Sequence, residues 1–207
     1  MNFLVWNCCG LWNLHTRKEL GEIIWAKDPS VVFIAKTLVD EARLDMIQQN
    51  IDFECKWVVL RVGHGGGLVL FWKSSVNLVV IDSSKYYIDT WIDKDSPNEW
   101  RFTRFYGEPN TLRRGEAWDS LRILNHHPDV PWLCAGDFNE IVRQEEKLGG
   151  ATRHQGQMQL FRDVLDECGF PDLGFVGNRF TWSKHIADGH SIWERLDRGV
   201  VNVNWFI

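Results

Sequence analysis

The stretch Pro131-Trp132-Leu133-Cys134-Ala135-Gly136-Asp137-Phe138-Asn139-Glu140-Ile141 decides how the chain is to be read. Its apolar run, bounded by Pro131 and Gly136, is too short for a helix and reads as a buried strand over 132–136 that stops at Asp137. Asp137 and Asn139, two apart after a glycine, suit a hard cation and a phosphate: the carboxylate holds charge and the amide donates a hydrogen bond. An Asp and an Asn so placed also terminate strands and cap turns in many proteins. The stretch therefore gains its weight from its company.

Other apolar runs end the same way. Phe3–Trp6 closes on Asn7, Trp100–Phe105 closes on Tyr106-Gly107, and Glu194-Arg195-Leu196-Asp197-Arg198 places an acid inside a strand-like stretch. Strand ends at one edge of a sheet are where sites gather. Singly, Tyr106 also reads as an ordinary strand aromatic and Asp197 as an ion-pair partner for Arg195 or Arg198.

Outward from these ends the chain alternates strand and helix signals. Thr16 with Glu19 forms a capping box opening a helix with Leu20, Ile23 and Ile24 on one face, and Asp28-Pro29 ends it. Val31–Ala35 is a second buried strand, and a helix over 41–49 turns Leu44 and Ile47 inward. The runs 56–60, 68–72, 77–81, 86–92 and 100–106 read as a meander, with 63–67 a flexible glycine-rich hairpin connection. Helices follow at 114–124 and 157–167, and strands at 180–182 and 193–196. Two meanders with interspersed helices predict one α/β domain over 1–207: a four-layer sandwich of two packed, mostly antiparallel sheets with helices outside.

Composition agrees. The 207 residues are 44% hydrophobic and 25% charged with six Pro, which excludes disordered, collagen-like and coiled-coil chains. A net charge of −5 argues against a tight nucleic-acid clamp, because phosphate neutralisation by Lys and Arg supplies most non-specific affinity. The five Cys have no CxxC spacing and read as buried thiols in a reducing, intracellular setting. No run approaches a membrane span, and no basic region precedes the apolar N-terminus.

Taken together, WNCCGL at 6–11, FYGEP at 105–109, PWLCAGDFNEI at 131–141, EKLGG at 146–150, FTW at 180–182 and ERLDR at 194–198 resemble the endonuclease/exonuclease/phosphatase superfamily. The resemblance is collinear over nearly the whole chain and is nearest to the endonuclease domains of plant LINE-type (non-LTR) retrotransposons. It implies a Mg²⁺-dependent (or Mn²⁺-dependent) phosphodiesterase that nicks DNA. By motif, Asn7, Asp137 and Asp197 would stand at the metal. Tyr106 would donate to the scissile phosphate, Asp137 would orient or deprotonate water, Asn139 would steady the phosphate, and Asp197 would orient the site's histidine. A full-length element would join this domain to a reverse transcriptase, acting in the nucleus.

The chain departs from the family pattern. The metal-ligand Glu expected after the second strand is replaced in Phe33-Ile34-Ala35-Lys36-Thr37 by Lys36. An ammonium removes a ligand and repels a cation, by about 4 kcal/mol per unit-charge pair at about 4 Å and an effective dielectric of about 20. The family's closing Ser-Asp-His segment is not met before Ile207. His126 and His127 read as a helix end, His154, His185 and His190 as loop residues, and His64 as part of the glycine connection. Losing a general base costs about 10²–10⁴ in rate. Pro109, with Asn110 next, stands where relatives place Asn after Tyr106. The expectation is an endonuclease domain inactive or nearly so, weak in metal and DNA binding, with an open sheet edge that leaves it a monomer or aggregation-prone. The alternatives are a non-catalytic fragment with residual nucleic-acid contact and a phosphoesterase acting on a small phosphoester.

Overall fold

The computed structural model describes residues 1–61, 66–126, 130–186 and 189–207. His64 and His127 lie outside them, as does most of the glycine connection at 63–67. The chain forms two compact units, Met1–Arg104 and Phe105–Ile207.

In the first unit, β1 (Phe3–Asn7), β2 (Val31–Ala35), β3 (Cys55–Val59) and β4 (Leu68–Trp72) form a sheet in the order β1-β2-β4-β3. β1 and β2 are parallel, and β4 is antiparallel to both its neighbours. α1 (Leu14–Lys27) and α2 (Glu41–Ile51) cover one face, where Leu20, Leu44 and Ile47 pack on Val32, Ile34, Val69 and Phe71. Side chains alternate across a strand, so Val31 and Phe33 point the other way. That face meets β5 (Leu78–Ser84), β6 (Tyr87–Ile92) and the start of β7 (Trp100–Tyr106). Phe3 of β1 lies 5.6 Å from Trp100 and 4.4 Å from Phe102 between ring centroids. The Trp57 indole N–H of β3 donates to Ser83 Oγ of β5 at 3.1 Å. Covered on both faces, β2 is buried throughout, which explains its unbroken apolar run.

The expected single meander over 56–106 is thus two pieces: β3 and β4 join the sheet of β1 and β2, while β5 pairs with β6. α1 begins at Leu14, because the Asn13 side chain caps it by accepting the His15 N–H at 2.9 Å; Thr16 and Glu19 lie inside the helix. Asp28, in the left-handed region at φ 40°, ends it.

In the second unit, β8 (Trp132–Asp137) pairs antiparallel with β12 (Asp197–Val201), and β9 (Lys147–Leu148), β10 (Trp182–His185) and β11 (Ser191–Glu194) make a small sheet. α3 (Arg114–Leu124) and α4 (Gln155–Glu167) pack through rings: Trp118 stacks on Phe161 at 5.7 Å, Phe161 meets Phe138 at 5.6 Å, and Phe138 meets Phe105 at 5.0 Å. His154 is a cap here, its Nδ1 accepting the Gly156 N–H, so α4 starts before position 157. His185 lies on β10, its Nδ1 2.8 Å from Ser191 Oγ. Glu194 to Arg198 is a corner between two strands instead of one run.

The outer edge of β12 is bordered by the chain at 171–173: the Leu173 N–H donates to Gly199 O at 2.9 Å and the Val201 N–H to Pro171 O at 3.2 Å. Two large sheets with covering helices make this a mixed α/β fold. Among the described residues no helix is long and apolar enough to cross a membrane.

Candidate phosphoester site

The second unit brings four of the candidate residues together. Asp137 ends β8 and Asp197 begins β12, and the two are direct Cα partners in the antiparallel pairing. Their side chains therefore leave the sheet on the same face, where like charges directly opposite destabilise unless hydrogen bonds or a cation compensate. Asp137 Oδ1 accepts the Asn139 N–H at 2.8 Å, and the Gly107 N–H donates to the Asp137 carbonyl at 2.7 Å. Tyr106 ends β7 immediately before Gly107 and is buried, as are Asp137 and Asn139.

Glycine is required at this junction. A Cβ on Gly136 would stand 1.8 Å from Phe105 O, and one on Gly107 would stand 2.3 Å from Phe138 O. The backbones of β7 and β8 approach too closely for any side chain. Asn139, at φ 55°, donates its side-chain N–H to Gly107 O at 2.7 Å. It is a clamp across the two strand ends. Thr181 Oγ1 accepts the N–H groups of both Leu196 and Asp197 at 3.0 Å and so fixes the start of β12.

The remaining acidic and basic residues of the motifs build support. Glu140, fully buried, is paired with Arg114 and lies 3.0 Å from Arg153; Arg153 also bonds Glu194 at 2.7 Å, and Glu194 pairs with Lys147. Glu146 receives Arg195 and Arg198 at 3.1 and 2.9 Å, and both guanidiniums also hold Asp172. Burial acts to raise the Asp172 carboxyl, but the Arg195 hydrogen bond, the Gly174 N–H and the two guanidinium charges together hold it below its ordinary value. These pairs are separated by 13 to 52 residues, so neither network has a local signature in the sequence. A cavity of about 610 Å³ in this unit is lined by Arg143, Glu146, Arg162, Asp172, Phe175 and Arg195 among others. None of Tyr106, Asp137, Asn139 and Asp197 lines it.

The first unit places Asn7 and Lys36 at one sheet edge. Asn7 pairs with Ala35 across the parallel strands, and the Cys8 N–H donates to Ala35 O at 3.3 Å, so Lys36 follows directly beside the end of β1. Lys36 lies in the left-handed region at φ 55°. The Cys8 thiol lies 3.6 Å from the carbonyls of Ala35 and Lys36, and burial pushes its pKa up to about 11.

A model of the Endonuclease/Exonuclease/phosphatase family matches residues 4–198. The chain belongs to this family. Solved structures of the same fold include the endonuclease domain of TRAS1, a telomere-specific non-LTR retrotransposon, at TM-score 0.71 and 12% identity, covering 98% of this chain and 85% of that one. The AP endonuclease LMAP of Leishmania major matches at TM-score 0.71 and 18% identity, over 98% and 79% of the two chains. The 3′ phosphatase NExo of Neisseria, bound to product DNA hairpin, matches at 0.68 and 14%, over 98% and 87%. No curated protein matches the sequence.

A divalent cation in a member of this family needs oxygen ligands. Asp137 and Asp197 supply two carboxylates from paired strand positions and fit that need. The edge of the first unit does not: Asn7 offers an amide oxygen, and Lys36 an ammonium. Among the described residues no three His, Cys, Asp or Glu gather as a metal-binding group.

Proposed function

We propose that the chain is a retrotransposon-type endonuclease domain directed at DNA phosphodiesters, with hydrolysis lost or nearly so. The observation that carries this reading is the meeting of Tyr106, Asp137, Asn139 and Asp197 at the ends of β7, β8 and β12, together with Lys36 at the end of β2. The TRAS1 domain among the structures of the same fold supports the retrotransposon branch.

In this reading the Tyr106 hydroxyl donates to a non-bridging phosphate oxygen. Asp137, held by the Asn139 N–H, orients the attacking water, and Asn139 keeps the two strand ends at a fixed separation. Asp137 and Asp197 would hold Mg²⁺ or Mn²⁺ weakly, and the ion would supply neutralisation of charge developing at phosphorus. By the family pattern Lys36 stands where a ligand carboxylate is expected, and no histidine is assigned as general base. In-line attack then lacks the electrostatic stabilisation that is its largest source of rate.

The test is nicking of supercoiled plasmid in Mg²⁺. The wild type is expected to turn over no faster than Asp137→Ala, and Lys36→Glu alone is expected not to restore activity. Turnover clearly above the Asp137→Ala control overturns the inactivity, and recovery by Lys36→Glu shows that no further base is needed.

A further inference from the structure

The cavity of the second unit lies apart from the candidate phosphoester site, and its charges do not balance. Its charged lining is Arg143, Arg162, Arg195, Glu146 and Asp172. Both carboxylates are taken up by Arg195 and by the buried Arg198 behind it. Glu146 holds Arg195 at 3.1 Å and Arg198 at 2.9 Å, and Asp172 holds the same two at 2.8 and 2.9 Å. Two acids against two guanidiniums leave no charge over. Arg143 and Arg162 stand outside that set. The Arg162 guanidinium donates to the Val142 carbonyl and, at 2.6 Å, to Gln159 Oε1, both uncharged acceptors. The Arg143 side chain is exposed and meets no acceptor among the described residues. Their sequence neighbours Glu145 and Asp163 do not line the cavity, and Asp163 accepts the Gln159 amide at 2.7 Å.

Apolar surface stands beside these two cations. Val142 and Phe175 line the same cavity. The Phe175 ring is 52% exposed although the Arg195 guanidinium lies 4.9 Å from its centroid, so much of the ring remains for a planar group to cover. The walls are already braced. The Val142 N–H donates to Glu146 Oε2 at 2.8 Å, the Glu146 N–H to Arg143 O at 3.0 Å, and the Gly174 N–H to Asp172 Oδ1 at 2.8 Å. A preformed wall lowers the ordering cost of binding. The volume, about 610 Å³, is that of a small-molecule site.

We infer that this cavity binds a small organic anion with an aromatic body: Arg143 and Arg162 take the oxygens of a carboxylate or phosphate ester, and the ring packs on Phe175 and Val142. A guanidinium fork matches both kinds of anion, and the apolar wall favours a ligand that is more than a bare ion. The site is separate from the nuclease reading above, because none of Tyr106, Asp137, Asn139 and Asp197 lines it.

Calorimetric titration of the 207-residue chain in EDTA, with amide NMR to locate the contacts, uses three probes: 2-naphthoate, deoxyadenosine 5′-monophosphate and inorganic phosphate. At least one aromatic anion should bind about tenfold or more tightly than inorganic phosphate and shift the Arg143, Gly174 and Phe175 amides; which one does so names the carboxylate or the phosphate ester. Arg143→Gln should weaken that probe about tenfold and Phe175→Ala about fivefold, each at an unchanged melting temperature. Arg162→Gln should match Arg143→Gln in binding, with melting to register the lost Val142 bond. Arg179→Gln removes a cation of the neighbouring segment that does not line the cavity and should change nothing. The proposal is overturned if neither aromatic anion binds, if inorganic phosphate binds as tightly, if the shifts fall elsewhere, or if binding ignores both Arg143→Gln and Phe175→Ala. None of these results bears on plasmid nicking, so the two readings fail separately.

Discussion

The two units use the same device, strand ends that carry polar groups past a buried sheet, and equip it oppositely. In the second unit the edge is acidic and braced: Asp137 faces Asp197, Asn139 bridges to Gly107, and a buried ionic network of Glu140, Arg114, Arg153, Glu194 and Lys147 lies among the same motifs. In the first unit the edge is basic and braced by loop backbone and a thiol, with Lys36 and Arg61 as its charges. The difference teaches that one fold can end its sheets in edges of opposite charge, each braced by different means.

The sharpest break of that contrast lies in the bracing. Glu140→Ala strips two guanidiniums of a fully buried partner and is expected to cost about 3–5 kcal/mol in urea unfolding. Asp45→Ala, which removes an exposed partner of Lys56 in the first unit, is expected to cost less than about 1 kcal/mol. Equal costs would show that burial does not set the worth of these pairs. Gly107→Ala forces β7 away from the Phe138 carbonyl and should cost about 1–3 kcal/mol by the same assay, with no compensation from lost flexibility.

A smaller effect is set by pH. Asp172 is held below its ordinary value, so its contribution is present above the unfolded carboxyl value of about 3.9 and is lost as pH falls through the folded one. Wild-type melting temperature should therefore drop in strong acid, and Asp172→Asn should lower stability at neutral pH while flattening that acid limb. An unchanged limb would mean that the two arginines do not depend on it.

Much of this was legible in the chain. Val31–Ala35 reads correctly because burial on both faces leaves no polar position to blur the run. Tyr106 and Asp137 are legible as strand ends because each closes an apolar stretch, whereas Asp197 opens β12 where the sequence reads as the inside of a strand-like run. The corner at Arg195-Leu196 was not, because strand residues flank it on both sides and the turn is held by Thr181, 15 and 16 positions before the two N–H groups it accepts. Asn13 is hidden as the cap of α1 because Thr16 and Glu19 present a stronger local pattern beginning three residues later in the chain. The clamp by Asn139 depends on a backbone carbonyl 32 residues away, and the ionic networks join residues 13 to 52 apart.

The central claim is that Asp137 and Asp197 form a paired carboxylate centre that accepts a cation. Thermal melting with and without Mg²⁺ or Mn²⁺, for the wild type and Asp197→Asn, tests it most directly. Preferential binding to the native state raises the melting temperature of the wild type and leaves Asp197→Asn unmoved, while without cation the variant is the more stable by about 0.2–1 kcal/mol, having lost a facing like charge. An equal rise in both proteins, or none in the wild type, would contradict it.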